Sequence, residues 1–144
     1  MKNMNAVAQT TQTLRVLHVE DDFADAMLLQ QALCDAGGYE FELEVVRTLN
    51  DAKRKLARRQ FDLIIVDLRL PDSIDPTDTV RTAEKIAKGT PVLVLTGSAR
   101  VDAEALGAHL TILDKNEFFN GKDRTASFRL MRKVQDAADD ALHL

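Results

Sequence analysis

A single cysteine, Cys34, excludes an internal disulfide and suits a reducing compartment. Long apolar runs are also missing. A stretch such as Leu63-Ile64-Ile65-Val66 is far too short to span a bilayer. The amino terminus carries one lysine but neither an apolar core nor a small-residue cleavage pattern, which excludes a secretory signal. Residues 1–13 therefore read as a disordered tail, residues 14–144 as one domain, and the cytoplasm as the expected location. A net charge of −4 argues against nucleic acid as the main partner. There is no repeat, low-complexity tract or second hydrophobic block, so no attached output domain is expected. What is present is ordinary for a soluble domain with its own core: 144 residues, 45% hydrophobic and 29% charged.

Four short apolar runs each lead into a residue suited to phosphate chemistry. Residues 14–19 run into Glu20, Asp21 and Asp22, and residues 63–66 into Asp67. Residues 92–95 run into Thr96, and 110–113 are soon followed by Lys115. Runs of this length bounded by polar residues read as buried strands, and residues 41–45 alternate like a half-buried edge strand. Between them lie helical signals. Asp22 caps a helix over 23–36, with Met27, Leu28, Leu29, Ala32, Leu33 and Ala36 on its apolar side, closed by Gly37-Gly38. Thr48 caps a second, with Leu49, Ala52, Leu56 and Ala57 inward. Asp75-Pro76 opens a third that Gly89 closes. Residues 98–107 leave room for only a short helix. Residues 123–142 form a long one with Phe128, Met131, Val134, Ala138 and Ala141 at helical spacing. Five strand–helix alternations predict an α/β doubly wound parallel sheet of order 2-1-3-4-5. In that order the ends of strands one and three are neighbours, so Glu20, Asp21 and Asp67 share a crevice.

The segments Val16-Leu17-His18-Val19-Glu20-Asp21-Asp22, Ile64-Ile65-Val66-Asp67-Leu68-Arg69-Leu70-Pro71-Asp72, Val94-Leu95-Thr96-Gly97 and Lys115 resemble the receiver domain of two-component response regulators. The resemblance runs from about Leu14 to the last helix and implies a flavodoxin-like fold. It implies that Asp67 accepts a phosphoryl group as an aspartyl phosphate. Mg²⁺ would be held by Asp21, by Glu20 through water, by Asp67 and by the main-chain carbonyl of Arg69. Lys115 would supply a positive charge and Thr96 a hydrogen bond to phosphoryl oxygens, while the small Gly97 leaves the approach open. The implied partners are a histidine kinase or histidine phosphotransfer protein and a downstream protein effector, with no membrane. The protein would be no enzyme beyond its own phosphorylation and dephosphorylation.

Other residues read as structural. His18, inside an apolar strand, is expected to be a packed core histidine, and His109 and His143 lack ligand-like spacing. Cys34 reads as a buried thiol. Asp22 and Asp72 read as helix-cap and loop residues. Lys53-Arg54-Lys55 with Arg58-Arg59 reads as a solvated face, with few aromatics nearby for nucleic acid. The last helix is expected to cover the sheet, a homodimer being the alternative.

Receivers usually signal through an aromatic three residues before the lysine; here Ile112 stands there, and Asn116 replaces the common proline. The expectation is therefore output through a remodelled fourth-helix segment, with a phosphorylation-independent interaction module as the competing function. Two enzymes of similar fold are excluded. A haloacid-dehalogenase-type phosphatase wants a second aspartate where Arg69 stands. A flavin-binding loop would be acidic here and repel phosphate.

Overall fold

Apolar runs become strands and the amphipathic stretches between them helices. Their order is β1 (Thr13–Val19), α1 (Phe23–Ala36), β2 (Glu40–Val46), α2 (Leu49–Arg58), β3 (Leu63–Val66), α3 (Pro76–Ala87), β4 (Val92–Thr96), α4 (Ala103–Leu106), β5 (Thr111–Asp114), α5 (Lys115–Phe118) and α6 (Ala126–Asp140). The structure, a computed structural model, describes residues 13–97 and 103–140. The tail expected at the amino terminus lies outside these residues, apart from Thr13, which opens β1. So do residues 98–102 of the fourth-helix segment; its remainder forms the single helical turn α4.

All five strands pair in parallel in the order β2-β1-β3-β4-β5, the arrangement the alternation predicts. The middle of the sheet is apolar on both sides, because β3 is buried throughout. Alternate residues divide its two faces. Val16, Leu63, Ile65, Leu93 and Leu95 pack with Leu29 and Leu33 of α1 and with Leu130, Met131 and Val134 of α6. Leu17, Val19, Ile64, Val66 and Val94 pack with Leu49 and Ala52 of α2 and with Val80, Ala83 and Ala87 of α3. Each fully buried Leu, Ile or Val contributes about 1.5–3 kcal/mol, which is what holds the helices on the sheet. Ile112 joins the second cluster, half-buried.

Helix faces depart from the pattern in places. On α1 the buried stripe is Ala26, Leu29, Ala32 and Leu33, so Met27 and Leu28 stand 55% and 42% exposed, and Cys34 is exposed rather than buried. One stripe of a helix can face a sheet; residues one or two positions off it turn to water. The same geometry leaves Phe128 of α6 56% exposed, and α6 starts at Ala126, three residues later than expected. It covers the sheet alongside α1.

The caps follow from short polar side chains. Asp22 accepts from Asp25 N, Thr48 from Asp51 N and Asp75 from Asp78 N. Asp72 is more than a loop residue. From the β3–α3 turn it accepts the main-chain N–H groups of Leu49 and Asn50, at 3.1 and 3.0 Å. Its two oxygens thus cap α2 from 23 residues away. Asp72→Ala is expected to lower stability by about 1 kcal/mol, read as an earlier urea midpoint with unchanged slope.

Candidate functional site

Because the strands are parallel, their carboxyl ends meet along one edge. The ladder continues one residue past β1 and β3: Glu20 N–H donates to Val46 O at 2.8 Å, and Asp67 N–H to Val19 O at 3.0 Å. Glu20 and Asp67 are thereby fixed side by side on adjacent strands. Thr96 ends β4, and Lys115 follows β5 as the first residue of α5.

Their side chains converge. Thr96 Oγ1 donates to Asp67 Oδ1 at 3.0 Å, and Lys115 Nζ donates to Asp67 Oδ2 at 2.9 Å. The same ammonium lies 2.7 Å from Glu20 Oε1 and donates to Asp25 Oδ2 at 2.8 Å. One cation therefore serves three carboxylates. Glu20, Asp67, Thr96 and Lys115 are all buried.

Burial works against every charge here, and the partners decide which charges survive. Burial alone would raise the Asp67 carboxyl; Lys115, with hydrogen bonds from Glu20 and Thr96, holds it below the usual carboxylate range. Lys115 would be lowered by burial, but hydrogen bonds to Asp25 and Asp67 and the Glu20 carboxylate beside it raise it above an ordinary lysine. Glu20 moves the other way. Burial and the neighbouring Asp67 push it up to about 7, despite Lys115. Although Lys115 Nζ is close, Glu20 Oε1 accepts no well-aligned hydrogen bond. The site holds more negative charge than its lysine offsets.

Asp21 does not join this cluster. Its Oδ1 is clasped by Arg47, whose Nε and Nη2 each lie 2.9 Å away. Arg69 is exposed, and its main-chain N–H reaches Asp67 Oδ1 only at 3.4 Å. Among the described residues no three His, Cys, Asp or Glu side chains converge as a metal-ligand group. A Cβ at Gly97 would sit 3.7 Å from Lys115 Cδ, an ordinary contact, so packing does not demand glycine there.

Residues 16–116 match the family model described as the response regulator receiver domain. The chain belongs to this family. The receiver is 34% identical over 90 residues to the swarming motility regulation protein RssB of Serratia marcescens, covering 62% of this chain and 39% of that protein. It thus spans about two fifths of that relative's length. A sensor protein from Polaromonas sp. JS666 superposes with a TM-score of 0.66 at 24% identity, over 89% of this chain and 98% of its own. The receiver domain of a sensor histidine kinase from Pseudomonas aeruginosa PAO1, solved with magnesium in its active-site cleft, gives 0.63 at 20%, over 88% and 98%. At these identities the two structures share the fold. No helix among the described residues of the receiver is long and apolar enough to cross a membrane.

Two residues at the site were not singled out for it from sequence. Asp25 reads as first-turn support for α1, yet its side chain pairs with Lys115, 90 residues away. A cue exists: Asp25 sits in the first turn of α1, directly after the cap at the end of β1. For Arg47 the only cue is its place between β2 and the Thr48 cap.

Proposed function

We propose that this receiver accepts a phosphoryl group on Asp67 and transmits the change by contact with another protein. The observation that carries the reading is the hold on Asp67: each carboxylate oxygen takes a hydrogen bond, from Thr96 and from Lys115, and the group stays ionised while buried. An ionised carboxylate is a competent nucleophile. One of its oxygens forms the new bond to phosphorus as the bond from phosphorus to the donor breaks, with the electron pair leaving on the donor atom. For a histidine kinase or phosphotransfer protein that atom is an imidazole nitrogen. Thr96 and Lys115 then stand beside the transferred group to bind its oxygens, where fixed donors stabilise spread charge.

The residues fit a hard divalent cation in kind. The donors are oxygens, and the unaligned buried Glu20 Oε1 and the raised Glu20 carboxyl mark unmet demand for positive charge. Glu20, Asp21, Asp67 and the Arg69 carbonyl would hold Mg²⁺, which when bound offsets charge between the carboxylate and the incoming phosphoryl oxygens. The Pseudomonas relative's magnesium supports this assignment. Arg47 competes with the metal for Asp21, whose Oδ1 it occupies. Arg47→Ala is therefore expected to tighten Mg²⁺ binding by roughly three- to tenfold at low salt, measured by calorimetry, with Arg54→Ala as a control for net charge. No tightening beyond that control would show that the clasp does not oppose the metal.

Intact mass after incubation with acetyl phosphate and Mg²⁺ tests the function. One added phosphoryl group is expected, lost in Asp67→Asn and in the presence of chelator. No gain in folded protein would favour a phosphorylation-independent interaction module.

A further inference from the structure

Helices α2 and α3 lie side by side on one face of the sheet, and a groove of about 500 Å³ runs between them. Its floor is apolar, from Leu49, Leu56 and Ile86, and its rim carries Lys53, Lys85 and Lys88. Ile74, next in the chain to the groove-lining Ser73, is 82% exposed. None of the three lysines forms an ion pair with a carboxylate among the described residues. The carboxylate in the lining, Asp72, already accepts from Leu49 and Asn50. Asp51 of α2 pairs with Arg54, and Glu84 of α3 with His109. A chain of net charge −4 thus presents an apolar slot flanked by unpaired ammonium groups.

We infer that this groove docks an acidic amphipathic helix of a partner protein, with an affinity set by the state of Asp67. A groove between two helices takes the i, i+3, i+4 and i+7 apolar side chains of a third, and carboxylates flanking that stripe would reach lysines on both rims. Charge complementarity selects the acidic partner. Nucleic acid fits poorly, because no aromatic side chain lines the groove for a base to stack on.

The link to Asp67 is covalent and short. Residues 67–73 form one short connection that ends in a tight turn, closed by mutual main-chain hydrogen bonds between Leu70 and Ser73 at 3.1 and 3.2 Å. Arg69 N–H leans on Asp67 Oδ1, and Asp72 holds the first turn of α2, whose Leu49 and Asn50 line the groove. On the other side Arg47, directly before the Thr48 cap, holds Asp21. A change at Asp67 or Asp21 therefore pulls on the end of α2. This dependence on Asp67 rests on the phosphorylation reading; the docking site does not.

The test is amide NMR of the full chain titrated with three probes. They are a synthetic amphipathic peptide with leucines at i, i+3, i+4 and i+7 and flanking glutamates, the same peptide with lysines, and a single-stranded oligonucleotide. Saturable shifts centred on Asn50, Lys53 and Ile86 are expected with the acidic peptide alone. The exposed double variant Lys53→Glu, Lys85→Glu should weaken it roughly tenfold. In protein shown by mass to be phosphorylated, the affinity should change at least about threefold. No saturation, shifts centred elsewhere, or equal binding of either other probe would overturn the docking site. Unchanged affinity on phosphorylation would overturn the coupling alone. Absence of any mass gain would overturn the phosphorylation reading and the coupling with it, while peptide binding would still establish the groove.

Discussion

Lys115→Met is expected to destabilise this receiver by about 3–5 kcal/mol near pH 8, the cost of leaving buried charge without its partner. The methionine keeps the apolar stem and removes the ammonium that lies 2.7, 2.8 and 2.9 Å from Glu20, Asp25 and Asp67. The Glu20 and Asp67 side chains are 1% and 8% exposed, so little water screens their repulsion; Asp25, at 29%, adds less. The loss has a pH signature. In the variant the carboxyls bind protons more readily than in the parent, and protonation removes the repulsion. The deficit should therefore shrink as pH falls below about 7, the region where Glu20 already titrates in the parent. Urea unfolding near pH 8 and pH 5 reads it. An equal deficit at both would mean that lost packing, not charge, is the cause.

His18→Leu should stabilise the protein, and increasingly so in acid. His18 is fully buried on β1, and neither ring nitrogen has a hydrogen-bond partner; Nε2 lies 3.8 Å from Glu20 Oε1. Burial, reinforced by the charge of Lys115, depresses its pKa from 6.5 to about 3. The imidazole is thus neutral in the fold, while in the unfolded chain it takes up a proton below about 6.5. Stability that His18 permits above 6.5 is lost as pH falls towards 3, about 2 kcal/mol of it by pH 5. Glu20 has the opposite slope: a carboxyl raised from 4.5 to about 7 favours the folded state in acid and loses that advantage as pH rises through 7. The two nearly cancel in the parent between about pH 5 and 7. Removing the imidazole exposes the Glu20 slope. The variant's gain over the parent should grow by about 2 kcal/mol from pH 8 to pH 5 in urea melts. A gain independent of pH would mean that His18 carries no depressed pKa.

Glu20, Asp67, Thr96 and Lys115 were legible because of topology. In a parallel sheet every strand ends at the same edge, so the residue just past each apolar run reaches a common site. Alternating strand and helix signals marked the five strands and five of the six helices for the same reason: each is a local pattern in the chain, whereas the single turn α5 (Lys115–Phe118) carries too few residues to show a period. Asp21 was legible in position but not in engagement, since nothing near it in sequence marks Arg47 as its partner.

Tertiary structure decided the rest. Asp25 meets Lys115 across 90 residues, and Asp72 caps a helix formed 23 residues earlier. Such pairings depend on where helices come to rest on the sheet, which no local period encodes. Docking also chose the stripe each helix buries, leaving Met27, Cys34 and Phe128 to water where a count of apolar residues would have placed them inside. By itself the sequence determined the five strands and the helices between them, their order across the sheet and which side chains end its strands, because those follow from hydrophobic period and parallel pairing. The charge balance around Lys115, the clasp on Asp21 and the basic groove between α2 and α3 arose only from packing, which sets distances between residues remote in the chain.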